Sequence, residues 1–189
     1  METAATRKEN TCTAKTIVNE LLESGVNFFT GVPDSVVGKL ISELERRGVQ
    51  YVPATCEDMG VGLAAGAYLG GKRPAVLMQN SGLGNALDAY MTLVKLYKLP
   101  ILFLISIPHV PEGDDEVSKR ERANNIQHFD WERLTVPLLE SVELPYTEIT
   151  NAAYKKEIKI FFPNQASAYF REKNPARTRM RETFKISEG

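Results

Sequence analysis

A chain of 189 residues is long enough for one domain with a full hydrophobic core, and its 43% hydrophobic and 25% charged residues are typical of globular proteins. A formal net charge of −1 gives no overall field that would attract nucleic acid or an anionic membrane, so neither is an expected partner. No apolar run approaches the ~18 residues of a membrane-spanning helix, and two cysteines favour a reducing, cytoplasmic location over a disulfide framework.

The first part of the chain alternates between helical patterns and short apolar strands. Thr11 or Thr13 is placed to cap the first helix, Gly25 to end it, and either Asp34 or Ser35 to cap the second. The patterns predict, in chain order, helix 13–24, strand 26–30, helix 34–48, strand 49–53, a Gly- and Ala-rich helix from residue 57, strand 75–79, helix 82–97 and strand 101–107.

This alternation predicts an α/β fold, a three-layer α/β/α domain with a parallel sheet covered on both faces. The predominantly apolar run at 101–107 is what a strand covered on both faces requires. In such sheets, ligands bind beyond the carboxyl ends of the strands. Polar and glycine-rich segments follow the four strands in turn, at 32–35, Glu57, 80–85 and 108–128.

The chain changes character after the fourth strand. Charge runs at 112–116 and 119–122 are predicted to lie in a long loop that reaches His128, which is typical of a functional or mobile segment. Pro137 disfavours a helix in this region unless it falls in the first turn of that helix. The remaining patterns predict helix 131–142, strand 144–149 and helix 152–162.

The two ends of the chain differ from the part between them. Residues 1–12 are polar and contain no apolar core, so we expect a disordered leader rather than a secretory signal. Residues 171–189 are basic and weakly patterned, and we expect them to form a C-terminal extension. The α/β domain is therefore predicted at 13–170.

The helix that begins at Glu57 is built almost wholly of small residues. It contains Gly60, Gly62, Gly66 and Gly70, although each interior glycine costs roughly 1 kcal/mol of helix stability relative to alanine. Such a pattern favours a helix on which something packs very closely, either another helix, a cofactor or a partner chain. Two of these glycines, four residues apart, lie on one helix face.

Four segments resemble the pyrimidine-binding domain of thiamine-diphosphate enzymes, most closely the decarboxylases of sulfopyruvate and phosphonopyruvate. They are FFTGVPDS (28–35), EDMGVGLAAGAYLGGK (57–72), PAVLMQNSGLGN (74–85) and YKLPILFLIS (97–106). The two central segments are specific because they fix residue type over a long, nearly continuous stretch. The similarity extends from Ala14 to Tyr146, and the residues after it match poorly.

The resemblance implies thiamine diphosphate as the cofactor and gives Glu57 the catalytic role. In these enzymes a glutamate hydrogen-bonds the ring nitrogen of the aminopyrimidine and so promotes loss of the proton on the thiazolium carbon. A carboxyl group exchanges protons most effectively there when the site is dry. Composition alone favours a plainer role for Glu57, that of a helix-start carboxylate that stabilises the helix dipole by about 0.3–1 kcal/mol. With the resemblance, that plainer role falls to Asp58.

The resemblance also implies cofactor contacts from two loops beside the aminopyrimidine. The implied cofactor-binding residues are Val32, Pro33, Glu57, Asn80, Ser81, Gly82 and Asn85. Amides, a hydroxyl and backbone N–H groups at the start of a helix are suited to this task. For Asn80 or Ser81 taken alone, a simple helix cap is an equal alternative.

Substrate contacts are implied at two further places. Asp34 and Ser35 resemble the substrate-side loop of phosphonopyruvate decarboxylases, where Asp34 would manage a proton; its alternative is a cap after the proline turn. Gln127 and His128 resemble a pair that faces the anionic end of the substrate, and His109 is expected at the surface. An Arg-Gly pair common after the fourth strand is missing, and Lys119, Arg120 or Arg122 are its possible substitutes. Neither histidine has a metal-ligand spacing, so no metal site is predicted on this chain.

The same resemblance implies that this chain carries only half of an active site. In this superfamily a second domain holds the diphosphate and Mg²⁺ through a Gly-Asp-Gly motif and a later Asn-Asn pair. Here Gly113 is followed by two aspartates, and Asn124–Asn125 come too soon after it. We therefore expect a hetero-oligomer whose second subunit carries the diphosphate-binding domain and the metal.

The split arrangement resembles sulfopyruvate decarboxylase of coenzyme M biosynthesis, with this chain as the α subunit. Its reaction would convert 3-sulfopyruvate, a small anionic 2-oxoacid, to sulfoacetaldehyde and CO₂. One alternative is a phosphonopyruvate decarboxylase subunit that forms phosphonoacetaldehyde, which the Val-Pro-Asp-Ser loop favours. The other is a non-catalytic partner subunit of the same fold, which an intact Glu57 argues against.

Overall fold

The computed structural model describes residues 13–108, 114–124, 126–151 and 156–161. The predicted leader at 1–12 and the basic extension at 171–189 lie outside these residues, so the domain boundaries remain predictions. His109 and Gly113 also lie outside them. No helix in the described part of the chain is both long and apolar enough to cross a membrane.

Helices and strands alternate through most of the described chain. The helices are α1 (Ala14–Glu23), α2 (Gly38–Arg46), α3 (Glu57–Leu69), α4 (Leu83–Ala89), α5 (Glu116–Asn124) and α6 (Ile126–Ser141). The strands are β1 (Phe28–Gly31), β2 (Tyr51–Pro53), β3 (Pro74–Gln79), β4 (Leu102–Ile107), β5 (Tyr146–Asn151) and β6 (Lys156–Phe161). A 3₁₀ turn (Asn80–Gly82) precedes α4, and a π-helical segment (Tyr90–Lys95) follows it.

The six strands form one sheet in the order β2-β1-β3-β4-β6-β5. The first four are parallel, which confirms the predicted α/β architecture. The sheet is not wholly parallel, however, because β6 runs antiparallel to both β4 and β5. The predicted helix at 152–162 was therefore wrong over residues 156–161. Only four residues separate β5 from β6, too few for the crossover that a parallel pair requires.

Helices cover both faces of the parallel strands. On one face, α1 and α2 bury Ile17, Leu21, Leu40 and Leu44 against the odd-numbered side chains of β3. On the other, α3, α4 and α6 pack with side chains of β3 and β4 around Val76, Met78, Phe103 and Ile105. From Leu102 to Ile105 the alternate side chains of β4 enter different clusters, so this part of the strand is apolar on both faces.

The segment after β4 contains more helix than the sequence predicted. The expected long loop includes α5, whose start is fixed by Asp115, since its carboxylate accepts hydrogen bonds from the backbone N–H groups of Val117 and Ser118 at 3.1 and 3.0 Å. Helix α6 begins at Ile126, and Pro137 lies inside it rather than in its first turn. Burial of Leu139, which is 1% exposed, offsets part of the cost of that proline, about 3 kcal/mol.

Candidate active site

Three of the predicted site segments meet at one edge of the sheet. Because β1 lies between β2 and β3, the residues that follow these strands are neighbours in space. Two backbone hydrogen bonds hold them together: Ala54 N–H donates to Gly31 O at 2.8 Å, and Val32 N–H donates to Leu77 O at 3.0 Å. The predicted convergence at the carboxyl ends of the parallel strands is therefore observed for these segments.

Glu57 is the first residue of α3, and its carboxylate reaches across to the 3₁₀ turn after β3. Its Oε2 accepts a hydrogen bond from Asn85 Nδ2 at 2.9 Å. Its other oxygen, Oε1, lies so close to Gly82 that a Cβ on that glycine would be 2.5 Å away. Gly82 must lack a side chain for Glu57 to occupy this position. Oε1 accepts no hydrogen bond from the described residues, so its hydrogen-bonding capacity is unused in this chain.

The start of α3 is set by close packing against the end of β1. Gly31 has a φ of +137°, and a Cβ there would be 1.9 Å from Leu77 O, so only glycine fits. A Cβ on Gly60 would lie 3.3 Å from the Cα of Gly31. These two glycines allow α3 to approach the strand, and this approach directs Glu57 toward Gly82.

Asp58 is a carboxylate in the first turn of α3, as the prediction expected of it in place of Glu57. It is exposed, and its carboxylate accepts a hydrogen bond from the backbone N–H of Met59 at 2.8 Å. Hydrogen bonds from the Cys56 side chain and from that N–H hold the pKa of Asp58 below its usual value. An ionised carboxylate in the first turn stabilises the helix dipole.

Asn80 points into the protein rather than toward the site edge. Its side chain is fully buried, with Nδ2 donating to Thr135 Oγ1 at 3.0 Å and Oδ1 accepting from the backbone N–H of Ser81 at 3.0 Å. The Thr135 hydroxyl in turn donates to the carbonyl of Trp131. A contact between the Asn80 side chain and a ligand would require these bonds to break. Asn80 is not the N-cap of the 3₁₀ turn or of α4 either, so its side chain serves to join the turn to α6.

Asp34 is also engaged with the protein. One oxygen accepts from the backbone N–H groups of Val36 and Val37, at 2.5 and 3.1 Å, and the other accepts from Ser106 Oγ at 2.8 Å. This is the geometry of the capping alternative, although α2 itself begins later, at Gly38. Burial, and then the charge of Asp34, raise the pKa of Tyr51 to about 12.

The remaining predicted site residues are either exposed or have side chains outside the described part of the structure. Pro33 and Ser35 are exposed beside the turn after β1. Gln127 and His128 lie in the first turn of α6, but their side chains are outside the described part of the structure, as is that of Arg122. Lys119 and Arg120 are exposed on α5, and Lys119 pairs with Glu116 at 3.5 Å.

Sequence reasoning missed three residues around this edge. Ser106 is a buried hydroxyl in an otherwise apolar strand, and that break in the pattern was a usable signal. Thr135 and Trp131 lie on the side of α6 that faces the 3₁₀ turn, more than forty residues away along the chain. Their proximity to the site carried no local signal because it depends on how α6 docks.

A second feature of α3 is an open apolar depression on the helix surface. It is lined by Phe28, Met59, Gly62, Leu63, Gly66 and Ala67. Met59 is 47% and Leu63 36% exposed, and a Cβ on either glycine would meet no atom within 4 Å. Nothing in the described chain packs on this face.

In the described residues, no three His, Cys, Asp or Glu side chains are grouped to hold a metal ion.

Comparison with known proteins identifies relatives of the chain. The family described as "Thiamine pyrophosphate enzyme, N-terminal TPP binding domain" matches residues 12–118. A protein of Methanococcus maripaludis named sulfopyruvate decarboxylase subunit alpha is 39% identical over 145 residues, covering 75% of this chain and 81% of that protein. The protein of the same name from Methanocaldococcus jannaschii is 41% identical over 91 residues, covering 48% and 54% of the two chains.

A relative whose name gives a different substrate is also found. The phosphonopyruvate decarboxylase of Streptomyces viridochromogenes is 29% identical over 137 residues. The match covers 72% of this chain and 32% of that longer protein. It therefore compares this chain with about a third of the longer enzyme.

Proposed function

Since this chain belongs to the family of thiamine pyrophosphate enzymes, we propose that it is the α subunit of a decarboxylase that converts 3-sulfopyruvate to sulfoacetaldehyde and CO₂. The observation that carries the proposal is the Glu57 carboxylate, held across Gly82 with one oxygen bonded to Asn85 and the other available. The relatives named as subunits of sulfopyruvate decarboxylase support this substrate.

The residues at this edge fit the aminopyrimidine end of thiamine diphosphate. Glu57 is half-buried at the carboxyl ends of the parallel strands, where ligands of such sheets bind. Its available Oε1 would hold a proton at the ring nitrogen, while Asn85 fixes the orientation of the carboxyl group. Val32, Pro33, Ser81 and the backbone at Gly82 would line the ring. When bound, the cofactor supplies a stabilised carbanion for the loss of CO₂.

Glu57 alone cannot exclude water from this reaction. Its side chain is half-buried in the single chain, whereas proton transfer by a carboxyl group is favoured in a closed, water-poor site. We therefore assign closure of the site to a second subunit. That subunit would also carry the diphosphate-binding domain and Mg²⁺, making the enzyme a hetero-oligomer. The naming of the relatives as alpha subunits supports this assembly.

Phosphonopyruvate is the second candidate substrate. It is favoured by the similarity to the Streptomyces enzyme over 72% of this chain. Glu57 has the same role with either substrate. The choice between the two substrates therefore depends on the residues that contact the sulfonate or phosphonate group. Ser35, Gln127, His128 and the cations of α5 remain the proposed residues for that contact. Asp34 is proposed to hold the loop through its bonds to Ser106 and the backbone.

Reconstitution with the partner subunit tests the proposed function. The chain would be purified alone and together with the product of a neighbouring gene that encodes Gly-Asp-Gly and Asn-Asn motifs. CO₂ release would be measured with thiamine diphosphate, Mg²⁺ and either 3-sulfopyruvate or 3-phosphonopyruvate. We expect turnover of 3-sulfopyruvate by the complex and none by the chain alone.

The isolated chain should also bind the cofactor weakly, since one carboxylate and some apolar area contact only the pyrimidine end. Titration calorimetry of the chain with thiamine diphosphate and Mg²⁺ measures this directly. Micromolar affinity, or turnover without a partner, would contradict the division of the site between two subunits. Preferential turnover of 3-phosphonopyruvate would replace the substrate and leave the role of Glu57 in place.

A further inference from the structure

Helix α6 is anchored to the segment that holds Glu57. The anchor on the α6 side is Thr135, which is fully buried and accepts the hydrogen bond from Asn80 at 3.0 Å. The same hydroxyl donates to the Trp131 carbonyl one turn earlier in α6. Both hydrogen-bonding functions of this hydroxyl are therefore used, and the Asn80 amide has a fixed partner.

A second contact lies one turn further along. A Cβ on Gly84 would be 3.1 Å from the Cη2 atom of the Trp131 indole, so the ring packs directly against the helix backbone at this glycine. The polar contact at Asn80 and the apolar contact at Gly84 lie on either side of Gly82. Helix α6 thus holds the segment 80–84 at two points around the glycine that contacts Glu57.

The segment has little local support of its own. Neither the 3₁₀ turn nor α4 has a side-chain cap, and Gly82 and Gly84 contribute no side chains. The Asn80 side chain is anchored 55 residues away in sequence, at Thr135. Leu83 also anchors the segment in the core, so the position of Gly82 depends on that packing together with where α6 lies. Because Gly82 is already in close contact with Oε1, a shift of the segment moves the Glu57 carboxyl group.

We propose that Thr135 and Trp131 are positioning residues for the Glu57 carboxyl group, acting through Asn80, Gly82 and Gly84. The inference rests on the proposed function, since it needs Glu57 to act on the cofactor. A small displacement of a catalytic group lowers the rate of the reaction strongly. The helix that carries Gln127 and His128 near its start is thereby joined to the cofactor edge through its middle turns.

Paired substitutions at Thr135 test the hydrogen bond in the assembled enzyme. Thr135→Val keeps the shape but leaves the buried Asn80 amide without its acceptor, whereas Thr135→Ser keeps the hydroxyl. We expect kcat per folded complex to fall about tenfold in Thr135→Val, with KM for 3-sulfopyruvate unchanged, and to stay within about twofold of wild type in Thr135→Ser. Equal kcat values for the two variants would overturn the proposal.

Gly84→Ala tests the second contact and keeps the experiment decisive where Thr135→Val does not fold. The added methyl pushes the Trp131 ring by a few tenths of an ångström and leaves the Asn80 bond in place. We expect a several-fold loss of kcat. The matched control is Gly38→Ala in α2, where a Cβ would meet no atom within 4 Å and kcat should not change. Wild-type kcat in Gly84→Ala would also overturn the proposal.

A readout independent of turnover is available because Trp131 is the single tryptophan of the chain. Incorporation of 5-fluorotryptophan into this chain alone, with an unlabelled partner, gives one ¹⁹F resonance at the contact. Thiamine diphosphate with Mg²⁺ should shift that resonance in wild type and Thr135→Ser, and shift it less in Thr135→Val. An unchanged resonance on cofactor binding would contradict the coupling.

Failure of this inference and failure of the proposed function are distinguishable. If α6 does not position Glu57, Glu57→Gln still abolishes turnover while the Thr135 and Gly84 variants remain active. If Glu57 is not the catalytic carboxylate, Glu57→Gln itself remains active.

Discussion

Two pairs of glycines on neighbouring helical segments have opposite surroundings. At Gly82 and Gly84 the space beside the Cα is filled by other side chains of the chain, and we call these two the filled pair. The Glu57 carboxylate lies where a Cβ of Gly82 would be, and the Trp131 ring lies against that of Gly84. Gly62 and Gly66 on α3 face open space, with no atom within 4 Å of a Cβ at either position. In the sequence, both pairs are simply small residues in a helical pattern.

The difference shows that glycine has two separate uses at this site. In the filled pair, the missing side chains let another part of the same chain come close, and that approach shapes the candidate active site. In the open pair, the missing side chains leave a shallow apolar surface beside Met59 and Leu63. Because an open glycine in a helix costs stability, we propose that this surface is covered by the partner subunit.

The largest expected effect is at the residue that the filled pair serves. Glu57→Gln keeps the shape of the side chain and removes the acid–base group. We expect the assembled enzyme to lose about 10²–10⁴-fold in kcat while folding and assembling normally. The measurement is CO₂ release by the purified complex, with circular dichroism as the control for folding. A rate within about threefold of wild type would show that Glu57 is not the catalytic carboxylate.

Gly82→Ala challenges the filled pair directly. A Cβ there would lie 2.5 Å from Oε1 and 2.6 Å from Cγ of Glu57, so the side chain must move. The backbone φ of −68° accepts alanine without strain, so the fold should be kept. We expect a loss of about 10–100-fold in kcat from displacement of the carboxyl group. Wild-type kcat, with Gly38→Ala as the control, would show that the contact does not matter.

Gly66→Leu tests the open pair. In the isolated chain the leucine meets no atoms near its Cβ and gains helix propensity, so thermal stability should be unchanged or higher. Assembly with the partner should be blocked, as measured by size-exclusion chromatography with light scattering.

Gly60→Ala is the contrasting control on the same helix. Its Cβ would lie 3.3 Å from the Gly31 backbone, so it should destabilise the isolated chain. A stable Gly66→Leu chain that still forms a fully active complex would remove the argument for a covered surface.

The smallest expected effect is at Tyr51, near the Asp34 turn. Its hydroxyl is buried without a hydrogen-bond partner among the described residues, so Tyr51→Phe should change the unfolding free energy little at neutral pH. The pKa of Tyr51 is raised from 10.0 to about 12, chiefly by burial and then by the charge of Asp34. Between those values the unfolded state holds fewer protons than the native state, so stability falls as pH rises.

Tyr51→Phe should therefore reduce the alkaline loss of stability between about pH 10 and pH 12. Denaturant unfolding at a series of pH values measures this slope. Part of it should remain, because burial also raises the pKa of Tyr90. An unchanged slope would indicate that the Tyr51 hydroxyl is not buried in solution.

The parallel part of the fold was predictable because each strand and helix carries a local pattern. The predicted strands at 75–79 and 101–107 match β3 and β4 to within a residue. Predictions failed after β4, where α5 lies in the expected loop and 156–161 is a strand. Charged residues dominate α5, and β6 is defined by its pairing with β4 and β5. Helix α5 has no apolar periodicity to detect, whereas the alternation of Ile158 and Ile160 with charged residues in β6 is a strand signal that the helix prediction overlooked.

The sequence by itself determined the alternation of helices and parallel strands along the chain. It also determined the family and the position of Glu57 at a strand-to-helix junction. These features depend on short-range pattern and residue identity. Tertiary structure alone decided which glycines are filled, that Asn80 faces Thr135 and that Asp34 is bonded to Ser106. Asn80 and Thr135 are 55 positions apart, and Asp34 and Ser106 are 72 positions apart. Such contacts exist only after the helices have docked on the sheet.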